Sequence, residues 1–172
     1  MEQWKCVEES GVHLARTRVY GRAPTGERAV GSVPRHYGAT VTRLGALSMT
    51  GLHALRPVDG ATEGEVCRAF VEQGLCPTLC AGAIVVRDNV GAHTVTGRRE
   101  AMAGCGAQGM YLPPYSPDLS PIEQCWSQLK TIWRRVGART RKALDAASAQ
   151  ALEQSTAAEA LAWFTHCGDM VN

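Results

Sequence analysis

The chain has 172 residues, 45% of them apolar, 20% charged and 6% aromatic, the balance of one folded domain and not of a disordered tail. Its formal net charge is only +2, and no apolar run approaches the roughly 20 residues that a membrane span needs. Met1 to Ser10 carries three Glu and a Lys, which argues against a secretory leader, and the seven Cys then read as reduced thiols, not as a disulfide framework. The expected setting is cytoplasmic, with no membrane partner.

In chain order, Trp4 to Val7 predicts a strand that turns at Glu8-Glu9-Ser10-Gly11. Residues 16–35, rich in Arg, Gly and Pro, predict an extended basic arm. Thr40 to Ser48 and Leu52 to Val58 are β-prone and joined by Met49-Thr50-Gly51, the pattern of a hairpin. Thr62 and Glu65 form a capping-box pattern ahead of Val66, Ala69, Phe70 and Gln73, and Pro77 follows that helix. Ala83 to Val86 predicts a short buried strand running into Asp88-Asn89. His93 to Gly104 predicts a helix, and Gly109 to Leu112 a strand cut off by Pro113-Pro114.

Ser120-Pro121-Ile122-Glu123 then opens the clearest helix. Ile122, Cys125, Trp126, Leu129, Ile132, Trp133 and Val136 form its apolar stripe, so Trp126 and Trp133 read as core residues. Helices from Thr140 to about Leu152, and from Thr156 (with Glu159 in a second capping box) to His166, complete a C-terminal helical segment over 137–172. Strands first, then strands alternating with helices, predict an α/β fold with a mixed sheet flanked by helices.

The distribution of charge is less even than its sum. Arg16 to Arg43 holds six Arg against Glu27 alone, and Gln124 to Lys142 holds six bases and no acid. Fifteen of the 18 bases are Arg, whose planar fork suits phosphate. Arg16, Arg18 and Arg22 from the arm, with Lys130, Arg134, Arg135, Arg139 and Arg141, are the candidate nucleic-acid contacts, expected to border the catalytic cleft. The alternative is two solvated basic faces.

Three acids fall near predicted element ends: Glu8, Asp88 and Glu123. Carboxylates brought together from distant segments suit Mg²⁺, a hard ion with oxygen ligands, and paired ions about 3.5–4 Å apart assist phosphodiester displacement. Each acid also has a plainer reading. Glu123 completes a capping box with Ser120, Asp88-Asn89 makes a strand-end turn, and Glu8 is an exposed acid near a terminus. Cys76 and Cys80 lack the second ligand pair of a zinc site.

The sequence around these acids carries more information. Ile84-Val85-Val86-Arg87-Asp88-Asn89-Val90-Gly91-Ala92-His93, and Tyr111-Leu112-Pro113-Pro114-Tyr115-Ser116-Pro117-Asp118-Leu119-Ser120-Pro121-Ile122-Glu123, resemble the DDE transposases of bacterial insertion sequences. The resemblance is to the mariner-related group, the insertion-sequence family numbered six-thirty. It extends to Trp126-Ser127, Leu129-Lys130, Glu9-Ser10-Gly11 and Tyr20-Gly21-Arg22-Ala23-Pro24, and so to roughly residues 4–168.

The resemblance implies a ribonuclease-H-like fold spanning 1–172 as a single catalytic domain. It implies two Mg²⁺ ions, with Mn²⁺ as a substitute, held by Glu8, Asp88 and Glu123. Asn89 and His93 are implied supporting residues. The partners implied are DNA (element ends and target) and a second copy or an intact transposase, in a bacterial nucleoid-associated setting. Two departures stand out. The family's first acid is Asp where this chain has Glu8, and the family's N-terminal helix-turn-helix domains are not represented. Two functional expectations follow: Mg²⁺-dependent strand cleavage and strand transfer impaired by Glu8, or an inactive remnant that binds DNA or inhibits an intact transposase.

Overall fold

A computed structural model of the chain describes residues 4–58, 64–88 and 95–168. Its elements are strands β1 (Trp4–His13), β2 (Thr40–Ser48) and β3 (Gly51–Val58), helix α1 (Gly64–Phe70), strand β4 (Ile84–Arg87), helix α2 (Val95–Gly104) and strand β5 (Gln108–Tyr111), followed by helices α3 (Pro121–Val136), α4 (Arg141–Gln154) and α5 (Ala157–His166). The strands make one sheet in the order β3-β2-β1-β4-β5. β1 pairs antiparallel with β2 and parallel with β4, β2 pairs antiparallel with β3, and β4 pairs parallel with β5. The expected mixed sheet flanked by helices is present.

Alternating side chains along the strands feed two cores, one on each sheet face. Cys6, Val12, Leu47 and Val86 pack under α3, α4 and α5 with Ile122, Trp126, Leu129, Trp133, Leu144 and Phe164. Leu44, Ala46, Val58, Ala83 and Val85 face the other way and meet Phe70, Val71, Leu75 and Met102 from the α1 and α2 side. A small aromatic content suffices because two large rings, Trp126 and Trp133, fill one layer, each 1% exposed.

Several expectations need correction. β1 does not turn at Glu8 but runs on to His13, because β2 pairs with it continuously from Lys5 to His13 and holds Ser10 and Gly11 in the ladder. Glu8 is therefore a mid-strand residue. The helix begun by α1 does not stop short of Pro77 but first widens, through a π turn over Val71–Leu75, and then tightens into a 3-10 turn over Cys76–Thr78 that accepts Pro77 near its start. Val136, the last residue of the predicted stripe, is exposed, since Gly137 at φ 64° ends α3 and swings the chain away.

Thr140 caps α4, and Thr156 and Glu159 form the expected reciprocal box on α5. The Thr62/Glu65 box lies outside the described residues. The cysteines are not all free thiols. Cys76 and Cys105, 5.8 Å apart at Cα, form a disulfide that joins the end of the α1 segment to the turn after α2. Nothing in their sequence spacing announced it, because the turn at Gly104–Gly106 brings Cys105 back only in the folded chain. No helix among the described residues is long and apolar enough to cross a membrane.

Candidate active site

Glu8 points to the α3 side of the sheet because it lies two residues beyond Cys6, on the same strand face. Cys6 is in parallel register with Val86, so two further residues along each strand bring Glu8 and Asp88 alongside each other. α3 crosses this face with Glu123 in its first turn. The three carboxylates come to one cleft of about 340 Å³, lined also by Leu112, Pro113, Pro114, Tyr115 and Ser120.

Glu8 hydrogen-bonds to Glu123 and also accepts a hydrogen bond of 3.1 Å from the Trp126 indole N–H. Burial pushes its carboxyl up from 4.5 to about 8, with repulsion by Glu123 and Asp88 adding to the effect and the Trp126 hydrogen bond opposing it. Burial, with two further acids nearby and no counter-charge among the described residues of the cleft, favours the protonated form of the Glu8 carboxyl. Ser120 is the N-cap residue of α3 but its side chain makes no cap bond, and only its carbonyl accepts, from the Glu123 backbone N–H at 3.1 Å. The capping-box reading of Glu123 is therefore not realised, and its side chain turns to Glu8 instead.

Trp126 and Gly45 complete the arrangement, and sequence reading gave neither a part in it. Gly45 is the cross-strand partner of Glu8, and a Cβ there would stand 2.8 Å from Cη2 of Trp126. Only glycine lets the indole lie on the sheet close enough to reach Glu8. A glycine inside a β-prone run is the available signal for such a close approach. Tyr115, also in the cleft wall, is the one non-glycine residue at positive φ (57°) among the described residues, and its ring is fully exposed.

The basic residues behave differently from expectation. Among the described residues no Lys or Arg lines the carboxylate cleft. Arg16, Arg35 and Arg134 instead gather at a second cavity, where the arm base meets the far end of α3. Arg139 spends its guanidinium on the backbone, donating to the Leu14 and Arg16 carbonyls at 3.1 and 2.8 Å. Arg18, Arg22, Arg135 and Arg141 are exposed and Lys130 is half-buried. Arg43, counted with the basic segment by sequence, is 1% exposed and pairs with Asp145 at 2.6 Å. Asn89 and His93 lie outside the described residues.

Among the described residues no three His, Cys, Asp or Glu side chains stand close enough to form a ready-made metal cage. The donor chemistry nonetheless suits a hard divalent cation. Three carboxylates face one cleft, and the repulsion from Glu123 and Asp88 that adds to burial in lifting the Glu8 carboxyl comes from the charge such an ion would neutralise.

A five-stranded mixed sheet between two helical layers, with acids from β1, the end of β4 and α3 at one cleft, defines a ribonuclease-H-like domain. The model of the DDE superfamily endonucleases matches residues 3–145, and the chain belongs to that family. Among solved structures it is similar to the Mos1 transposase paired-end complex with left transposon end, with a TM-score of 0.76 and 11% identity over 95% of this chain and 52% of that one. The Mos1 mariner paired end complex with Mn gives a TM-score of 0.72 and 12% identity over 96% and 51% of the two chains. The Mos1 mariner transposase catalytic domain gives 0.63 and 9% over 95% and 76%. At such identities the likeness is one of fold. The chain spans about half the length of the full Mos1 chains it matches. No curated protein matches it by sequence.

Proposed function

We propose that the chain is the catalytic domain of a mariner-related insertion-sequence transposase, cutting DNA at the element ends and joining the released 3′ end to target DNA. The observation that carries this reading is the meeting of Glu8, Asp88 and Glu123 in one cleft, inside a family of endonucleases. The three acids are its metal ligands. Two Mg²⁺ ions (or Mn²⁺) bound there would activate the attacking oxygen and neutralise charge on the phosphodiester. The chain's own part is to hold the carboxylates on rigid elements, β1 and α3, with Trp126 fixing the Glu8 rotamer. Asn89 and His93 support the site, and Arg18, Arg22, Lys130, Arg135 and Arg141 add phosphate contacts outside it. Residues 1–172 act as one catalytic unit, with 16–35 as a basic arm and 137–172 as supporting helices. The partners are DNA and a second transposase copy, in a bacterial cytoplasm.

Glu8 handicaps this reaction. Its longer side chain reaches α3, bonding Glu123 and Trp126, where a shorter Asp on the same strand would stop nearer the sheet. Mg²⁺ tolerates little displacement from octahedral distances near 2.1 Å. The test is nicking of DNA carrying element ends, with Mg²⁺ or Mn²⁺. Wild type is expected to cut slowly, Glu8→Asp faster by tenfold or more (about 1.4 kcal/mol or more of barrier), and Asp88→Asn not at all. Equal rates for wild type and Glu8→Asp would remove the handicap. Cleavage by Asp88→Asn at the wild-type rate would overturn the site.

A further inference from the structure

The second cavity, about 400 Å³, lies at the other end of α3 from the carboxylates. Its lining includes His13, Arg16, Arg35, His36, Tyr37 and Arg134, and among the described residues no Asp or Glu. Arg16 and Arg134 stand close enough to repel one another. Burial first, and then Arg134, holds the Arg16 guanidinium below its ordinary value. Arg16 Nε and His13 Nδ1 are buried polar atoms with no hydrogen-bond partner. Two cations close together, with unpartnered buried nitrogens beside them and no acid among the described residues of the wall, form a site short of one anion.

The cavity is also built and not incidental. Leu14 N–H and Ala15 N–H bond to the carbonyls of Ala39 and Tyr37, which closes the base of the arm as a continuation of the β1–β2 ladder. Arg139 ties the same base to the turn after α3 through the Leu14 and Arg16 carbonyls. Tyr37 packs edge-on against His13 with ring centroids 5.1 Å apart. Arg16 thus lies on backbone held from two sides, while Arg134 lies on a helix.

We infer that this cavity is a phosphate site, in which Arg16 and Arg134 clamp a single backbone phosphodiester of DNA away from the cutting site. Arg134 lies eleven residues beyond Glu123 on α3, about 16 Å along the helix axis. For a duplex lying along α3, at 3.4 Å per base pair, the clamped phosphate is roughly five base pairs from the one being cut. The clamp then sets which phosphate reaches the carboxylates. The inference rests on the reading of the chain as a DNA-acting domain. The anion chemistry itself does not depend on that reading.

The experiment uses the full chain without divalent metal, so cleavage plays no part. Thermal melting compares chloride with inorganic phosphate at equal ionic strength, for wild type, Arg16→Gln, Arg134→Gln and the double variant. Wild type is expected to gain several degrees in phosphate and each variant to lose most of that gain. The variants are expected to melt no lower than wild type in chloride, because each removes a like-charge contact. Duplex binding is then measured against salt. One shared phosphate predicts a salt slope lower by about 0.9 in the double variant, with the two single losses not adding. A loss of about 1.8 with additive singles would mean two separate surface contacts and overturn the clamp. Equal phosphate gain in all four proteins would overturn the anion site. A phosphate gain confined to wild type, with no duplex binding by any protein, would keep an anion site but overturn DNA as its ligand, and the functional reading with it.

Discussion

Gly45 and Trp126 act as one unit with Glu8, and that coupling can be tested one side chain at a time. A methyl group at 45 would meet the Trp126 ring at 2.8 and 2.9 Å, well inside contact distance, so the indole must lift off the sheet and lose Glu8. Gly45→Ala is expected to cost about 1–3 kcal/mol by overpacking and to shift tryptophan fluorescence. Wild-type melting with unchanged emission would show that the ring has room. The acids themselves make a second prediction. Glu8 keeps its proton in the folded chain up to about pH 8, whereas in the unfolded chain it ionises near 4.5. Between those values the folded state binds the extra proton, so this group's contribution to stability falls as pH rises from about 5 through 8. Metal-free protein is expected to melt progressively lower over that window, and Glu8→Gln to flatten the profile. A profile just as steep in Glu8→Gln would assign the effect elsewhere.

At the scale of elements, the periodic signals were legible and the long-range ones were not. The α3 stripe, the Thr156/Glu159 box and the strand-helix alternation are local patterns, each written within a dozen residues, and the structure has all three. Asp88 and Glu123 stood out through the motif segments that contain them, and Glu8 only through its place just ahead of Glu9-Ser10-Gly11; that all three line one cleft follows from the sheet register and α3. The length of β1 was not, because Ser10-Gly11 turns in isolation and stays extended only with β2 beside it. Arg43 looked like one more surface base because its partner is 102 residues away. It joins β2 to α4 through Asp145, and its buried charge depends on that carboxylate. Asp145→Ala leaves Arg43 ionised and unpaired under the helix. Asp145 is itself 44% exposed, which moderates the effect, and a loss of about 2 kcal/mol is expected. Replacing the pair together, with Arg43→Met and Asp145→Leu, is expected to recover most of it. A single variant as stable as wild type in urea would show that water already solvates Arg43.

For the whole molecule, the sheet is stable only as the middle of three layers, and the layers do not end where the family match does. That match stops at residue 145, inside α4. Ala147 and Ala151 later in α4, and Ala160 and Phe164 in α5, all lie in the core shared with α3, over the β2–β3 side of the sheet, with Phe164 and Ala160 at 0% exposure. Removing them would uncover the face that also carries Trp126 and the carboxylates, so the C-terminal helices serve the site without touching it. Large-to-small replacement of one buried Phe costs about 3–5 kcal/mol, a large share of the roughly 5–15 kcal/mol that holds a domain folded. Phe164→Ala is therefore expected to melt well below wild type while remaining cooperative. A chain ending at residue 145 is expected to lose cooperative unfolding altogether, with collapsed amide dispersion in its NMR spectrum. If that shortened chain kept a sharp melt and native dispersion, α5 would be an appendage, and the first 145 residues would themselves be the folding unit.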